Sequence, residues 1–334
     1  MKILYILILC TITLSCSRNF ETEKYQNNRD NIVNVREKVK EIEMGDVLIG
    51  RNARVRPIGN YLLISGATSL DSLIHIFDKN NFNFITGIGR KGQGPGEITN
   101  KGPVVVNETE GKFYVTDYGK LNIFSFDLDS IIAGTGYMPI VKVRIGEKQH
   151  PHFYEYINDT LCIGQIINVT GISSFQQLIA KWNMITGEIT PMKYTHPVKM
   201  ERRRVSVAAS AEHGLYIEFY SLYDLMTICS LEGDLKYNVY GPNWDKNRQP
   251  NNRYYSGVGF YNNKIIAAYS GGNYNNDEYY PTKFLVFDLN GDYIKTLDVG
   301  YKINDFCFDK DNNRIIMSFE DVIQFGYLDL DGLI

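Results

Sequence analysis

The sequence predicts an all-β fold, and three observations carry that prediction. From Val47 onward, short runs alternate apolar and polar residues at period two, as strands with one buried face require. No stretch longer than a turn combines capping residues with a 3.6-residue apolar period, so no helical reading competes there. Related strand–turn–strand units recur to the C-terminus, each built as an apolar run, an Asp or Asn, a turn with Gly or Asn, and a second apolar run.

Residues 73–98, LIHIFDKNNFNFITGIGRKGQGPGEI, show the unit most clearly: two strand patterns meet at a polar turn and run into a glycine-rich connector. Asp78, Asp127, Asn183, Gly233, Asp288 and Asp329 each follow a run resembling the third strand of such a unit, at successive separations of 49, 56, 50, 55 and 41 residues. That spacing suits four-stranded propeller blades, whereas helical repeats of similar length would show a different apolar period. The expected architecture is a six-bladed β-propeller of four-stranded antiparallel blades, with five or seven as the margin of the count. The last unit, residues 322–329, stops too near the C-terminus to complete its outer strand. A segment between residues 32 and 50 is expected to supply it and close the ring, leaving no open edge between first and last blades.

A length of 334 residues suggests two domains, yet all-β rings run this long as one unit. With 24 Tyr and 17 Phe against 10 Pro, the chain is rich in strand formers and suits a large core. A net charge of -3 gives no basic field to favour nucleic acid and no acidic solvating tail.

The N-terminus reads as a signal: Lys2, an apolar run over residues 3–12, then Thr13, Leu14, Ser15 and Cys16 before a polar tract. The run is too short for a comfortable transmembrane helix. A small residue before Cys16 resembles a bacterial lipoprotein signal, in which the cysteine is acylated, although Thr13 stands where Leu is commonest; an ordinary secretory peptide with an incidental cysteine is the alternative. The domain reading is therefore a lipoprotein-type signal over residues 1–16, a polar tether with a candidate ring-closing strand over 17–45, and the propeller over 46–334. Within the tether, Ile32, Val35, Val39 and Ile42 fit a helical spacing while residues 32–35 equally fit a strand start. Cys162, Cys229 and Cys307 have strand-like apolar flanks and no CxxC spacing, which predicts buried free thiols rather than a disulfide frame or a zinc site.

The connector Gly89, Arg90, Lys91, Gly92, Gln93, Gly94, Pro95, Gly96, Glu97, placed after a blade strand and behind a lipoprotein-type signal, resembles the TolB-like six-bladed propeller lipoproteins of Gram-negative bacteria. The resemblance covers most of residues 47–334, but only this connector is distinctive. It implies a lipid-anchored propeller in the cell envelope, at the outer membrane, and it carries over no catalytic residue.

Several motifs bear on chemistry. Residues 87–92 fit GxGxxG literally, but Pro95 and further glycines follow where dinucleotide binding needs a helix, so an inter-blade crossover is expected, with Arg90 and Lys91 decorating one mouth of the ring. Asp309 to Asn313 with Glu320 copies part of a calcium loop, yet Arg314 stands where glycine is needed and strands flank it, which reads as a hairpin turn. His150 and His152 share one strand face and form a metal site only if His196 or His213 joins from another blade; no metal or other cofactor is otherwise expected. Arg202, Arg203 and Arg204 read as a solvated loop, and Arg54 and Arg56 share a strand face that could point at a channel or a carboxylate.

Composition gives the better lead. Two long polar loops, one holding Trp244, Tyr254 and Tyr255 and the other Tyr274, Tyr279 and Tyr280, set aromatic rings among Asn and Asp, a mixture suited to sugars, peptides and adaptable protein surfaces. Soluble turns of the same composition are the bland alternative. The expectation is a binding or scaffold propeller for an extracytoplasmic protein, peptide or glycan, exported and membrane-held through its lipid anchor, with no nucleic-acid partner. A channel-sited lyase or hydrolase, metal-dependent through His150 and His152, is the alternative. Perturbed titratable groups converging at one channel mouth would favour that alternative, and a plugged or uniformly polar channel would favour the binding module.

Overall fold

The structure is a computed structural model that describes residues 21–66, 71–134, 136–145, 150–171, 174–200, 203–247, 251–276 and 278–334. Cys16 and the rest of the segment expected as a signal lie outside the described residues.

Six antiparallel sheets form the ring. From the innermost strand outward, the first blade is Arg54–Ile58, Tyr61–Ser65, Ile74–Asp78 and Phe84–Ile88, and the second is Lys101–Asn107, Lys112–Asp117, Asn122–Asp127 and Ile140–Arg144. The third is Phe153–Asn158, Leu161–Gly171, Ser174–Trp182 and Ile189–Pro191, and the fourth is Val205–Ser210, Leu215–Tyr220, Leu225–Ser230 and Leu235–Tyr240. The fifth is Tyr255–Tyr261, Lys264–Tyr269, Lys283–Asp288 and Tyr293–Asp298. The sixth draws Ile303–Asp309, Arg314–Phe319 and Phe325–Asp329 from the C-terminal end and its outer strand, Lys40–Glu41, from the N-terminal end, so the ring closes as the truncated last unit requires. The first strand of each blade touches that of the next and surrounds a central channel.

The turn residues that set the blade count act through local hydrogen bonds. Asp78 Oδ1 accepts from the backbone N–H of Asn80 at 2.8 Å, Asn183 Oδ1 from Ile185 at 3.0 Å and Asp288 Oδ1 from Asn290 at 2.9 Å, each reversing the chain after a third strand. Asp127 instead caps a short helix, Leu128–Ala133, through the Ser130 N–H at 2.9 Å.

The core is a set of six apolar clusters, one in each seam between neighbouring blades. Both faces of a blade are therefore buried. Leu62 packs into the seam with the sixth blade and Leu63 into the seam with the second, which is why central strands read as continuous apolar runs rather than strict alternation. Cys162, Cys229 and Cys307 are free, buried and in three different seams, as their flanks predict.

From residue 21 the segment expected as a tether is a strap along the outer rim. Glu23–Tyr25 pairs in parallel with the fourth blade's outer strand, Ile32–Asn34 does the same on the fifth, and Lys40–Glu41 completes the sixth. Of the two readings left open for residues 32–42, the strand is the one formed; a single 3-10 turn, Arg36–Lys38, separates the last two strands. Between the first two strands Arg29 reaches inward to Asp224, Nη1 to Oδ1 3.1 Å, with side chains 6% and 0% exposed. Tyr255 accepts from Arg29 at 2.9 Å and donates to Asp224 at 3.1 Å, while Tyr269 donates to the other Asp224 oxygen at 3.0 Å. Burial works against the Arg29 charge, but Tyr255 and Asp224 outweigh it and hold the guanidinium pKa above its ordinary value.

Arg29→Met leaves the Asp224 carboxylate buried without its counter-ion. The free energy of unfolding in denaturant is expected to fall by about 3–5 kcal/mol with an unchanged m-value; a loss below about 1 kcal/mol would contradict the assignment of this pair as the strap's anchor.

Candidate functional site

In a meander of four strands, the links between second and third strands and the links between blades emerge on one face of the ring. Both aromatic loops, the glycine-rich connector and residues 299–302 lie on that face, so the topology gathers what the chain separates.

The two aromatic loops join. Asn252 and Asn273 form a bridge, Arg253 N–H donates to Gly272 O at 2.9 Å, and Tyr274 N–H donates to Asn251 O at 2.7 Å. On this platform Tyr274, Tyr279 and Tyr280 stand in a row with successive ring centroids 4.7 and 4.4 Å apart. The Arg253 guanidinium lies 5.2 Å from the Tyr274 ring and the Lys302 ammonium 5.8 Å from the Tyr280 ring. Tyr274 is 53% exposed, and the other two rings are half-buried.

The remaining three aromatics stand apart from this row. Tyr255 opens the fifth blade's innermost strand and Tyr254 precedes it; both are buried in the seam with the fourth blade, and the Tyr255 hydroxyl is committed to Arg29 and Asp224. Trp244 is half-buried in an aromatic cluster, its ring 4.9 Å from Tyr240 and 5.9 Å from His196. The aromatic-rich run YYSGVGFY over residues 254–261 was the available sign that a strand had begun.

Lys302 also lines a cleft of about 570 Å³ beside this row, with Arg51, Asn52, Glu320, Asp321 and Gln324. Backbone bonds shape it: Asn52 N–H donates to Glu320 Oε1 at 2.9 Å and Lys302 N–H to Asp321 Oδ2 at 3.0 Å. Charged and polar side chains line it together with the apolar Ala53, Phe319 and Val322.

One step inward, Arg54 and Arg56 meet both fates foreseen for them. They line the channel, and both bind the sixth blade's Asp305, Arg54 at 3.1 Å and Arg56 at 2.7 Å. Asp305 also accepts the Val55 N–H at 3.0 Å. Sequence reasoning missed Lys101 and Glu155, lone charges on the first strands of the second and third blades. Glu155 keeps exposed surface in the channel, and desolvation by the surrounding protein lifts its pKa to about 7, against the pull of Arg56 and with help from Asp305. Burial lowers the Lys101 pKa to about 8, and repulsion from Arg54 and Arg56 adds to it.

The other candidates stay apart. Arg90 and Lys91 are exposed on the connector, whose backbone enters the left-handed region at Gly89 and Gly96, with φ of 76° and 73°, and whose Gly94 and Glu97 carbonyls Lys120 Nζ ties at 2.7 Å each. His150 and His152 lie against Tyr118, with ring centroids 6.0 and 5.5 Å away, but neither His196 nor His213 joins them; His196 bonds Tyr240 and His213 bonds Ser210. Among the described residues no three His, Cys, Asp or Glu side chains cluster as a metal site. Arg203 is a correction to the solvated triple-Arg reading: it inserts beside buried Glu218 at 2.7 Å, whereas Arg204 is exposed and Arg202 lies outside the described residues. The calcium-loop mimic is a hairpin turn, as expected: Asp309 ends the sixth blade's inner strand and binds Arg314, which opens the next, at 2.9 Å.

Residues 44–166 match the family DUF5128, described as a 6-bladed beta-propeller. Among solved structures, the chain is similar to a member of the DUF4221 family from Bacteroides vulgatus at 12% identity and a TM-score of 0.62, covering 86% of this chain and 94% of that one. A Bacteroides fragilis protein designated as exported is similar at 12% identity and 0.54, with coverage of 90% and 88%. The extracellular domain of a two-component system from B. thetaiotaomicron is similar at 14% identity and 0.51, over 93% of this chain and 36% of that one. These likenesses establish the fold. No curated protein matches the chain.

His196 supplies a pH test of this face. It is 5% exposed, its Nδ1 accepts from the Val198 N–H at 3.3 Å, and its Nε2 lies 2.9 Å from the Tyr240 hydroxyl, so the neutral ring is satisfied and a second proton is not. Burial lowers its pKa to about 4 from an ordinary 6.5, against a weaker pull from Glu23. A base with a depressed folded-state pKa leaves stability intact above pH 6.5 and costs it as pH falls toward 4. Unfolding free energy is expected to drop by roughly 3 kcal/mol across that window, with His196→Gln removing that part of the slope; an unchanged slope in the variant would contradict the assignment.

Proposed function

We propose that the protein is an exported, lipid-anchored binding module of the cell envelope that takes a glycan on the face carrying its inter-blade connectors. One observation carries the reading: Tyr274, Tyr279 and Tyr280 stand in a row that continues through Lys302 into a cleft lined by both polar and apolar side chains. Flat rings suit the apolar faces of sugars, and the adjacent Arg51, Asn52, Glu320 and Asp321 offer the donors and acceptors their hydroxyls need. A peptide or protein ligand is the other outcome of the same test. Placement among TolB-like lipoproteins, with Cys16 acylated and the chain held at the outer membrane, is supported by the signal and the connector together.

A second reading, a lyase or hydrolase in the channel, has its own specific observation. Lys101 and Glu155, with pKa values near 8 and 7, stand at one channel mouth where either could exchange a proton near neutral pH.

Glycan and peptide arrays, followed by titration of the best binder, test both. The double substitution Tyr279→Ala and Tyr280→Ala is expected to weaken capture by about ten- to a hundredfold without lowering the unfolding midpoint. Unchanged affinity removes this face from consideration, and release of new reducing ends from the bound glycan moves the channel reading ahead.

A further inference from the structure

We infer that the channel mouth built by the first strands of the first, second, third and sixth blades is a receptor for the carboxylate group of a small ligand. The site is distinct from the tyrosine row and does not depend on it.

Charge on the inner ring is one-sided. Arg54 and Arg56 come from the first blade, Lys101 from the second, Glu155 from the third and Asp305 from the sixth. The first strands of the fourth and fifth blades, VSVAAS and YSGVGFY, carry no charge at all. Asp309, on the sixth blade's inner strand, is fully buried and already neutralised by Lys79 at 3.1 Å and Arg314 at 2.9 Å. Asp305 is likewise fully engaged by two guanidinium groups and the Val55 N–H. Lys101 is the cation left over: among the described residues its ammonium has the Gly102 carbonyl at 3.4 Å and no carboxylate.

A recessed, half-buried ammonium beside two guanidinium groups is costly unless an anion joins it. The resident carboxylate on this side of the ring, Glu155, makes no ion pair among the described residues, and desolvation and Asp305 raise its pKa to about 7 against the pull of Arg56. The mouth is therefore net positive with one cation unsatisfied. Phe153, 52% exposed, gives it an apolar lip, and His150 and His152 flank it against Tyr118. A carboxylate seated against Lys101 and Arg56 would complete the charge balance with charge-assisted hydrogen bonds.

The site carries a pH signature. Raising pH ionises Glu155, which then competes with the ligand, and deprotonates Lys101, which abandons it; Arg54 and Arg56 keep their charge. A bound carboxylate pushes both titrations upward, so binding near pH 8 takes up protons. Burial and His150 lower the pKa of His152, which leaves it neutral in that range.

The test is calorimetric titration of the purified protein with glucuronate, succinate and glucose, in buffers of different ionisation enthalpy between pH 6.5 and 9. Glucuronate or succinate is expected to bind and glucose not; binding of both acids assigns simple carboxylates, and glucuronate alone assigns sugar acids. Affinity should fall at least about tenfold by pH 9, with proton uptake near pH 8. Lys101→Met should lose about tenfold at pH 6.5, while Lys101→Arg should bind and keep more of its affinity at pH 9, which separates loss of charge from loss of fold. Equal response to glucose and the acids, no response to any acid, or undiminished binding by Lys101→Met overturns the inference.

Discussion

A ring of sheets holds only if its last blade is joined to its first, and here the C-terminal end provides three strands where four are needed. The missing strand, Lys40–Glu41, is two residues long and pairs with Gly326 and Tyr327. Backbone bonds worth about 1 kcal/mol each could not hold so short a strand alone. The strap does so by burying side chains along its path: Val35 enters the seam between the fifth and sixth blades, Ile42 the seam between the sixth and the first, and Arg29 the interior beneath the fourth and fifth. Glu23 adds hydrogen bonds to Asn238 at 2.9 Å and to the Tyr240 hydroxyl at 2.6 Å. Closure is thus distributed over three blades, which spreads the cost of a short terminal strand.

That closure also positions the candidate sites. The chain leaves the closing strand on the connector face, runs through Arg51 and Asn52 at the cleft, and enters the first blade at Arg54 and Arg56. Asn304 and Ser318 of the sixth blade both donate to the Ala53 carbonyl, at 2.8 Å each, so the junction that seals the ring forms the cleft floor beside the charged channel mouth. Stability and recognition share residues there: the guanidinium groups that pin Asp305 across the first and sixth blades are the ones that create the positive mouth.

What was legible in the sequence follows from how local the physics is. Asp78, Asn183 and Asp288 announce their turns because an Asx side chain bonds its own backbone two residues on, and the blade count rests on that chemistry. The glycine-rich connector was legible for the same reason. The strap strands were not: Glu23–Tyr25 and Ile32–Asn34 are too short to show alternation, and their partners lie more than 200 residues away in the chain. Composition found the two aromatic loops but could not separate Tyr279 from Tyr255, since burial there is decided by a strand start and by Arg29 from the strap. Arg54 and Arg56 could be placed on one face from spacing alone, whereas Asp305, Lys101 and Glu155 join them only through the ring.

Hydrogen exchange of the strap amides across a denaturant series tests most directly whether the strap is part of the cooperative fold. Gln26 N–H donates to Tyr240 O at 2.9 Å, Val35 N–H to Asp298 O at 2.9 Å and Ile42 N–H to Phe325 O at 3.0 Å. If the strap closes the ring, these three amides exchange only through global unfolding, with the protection and denaturant dependence of the blade cores. Exchange through low-energy local opening, while the cores remain protected, would show that the ring holds without it and would contradict the account.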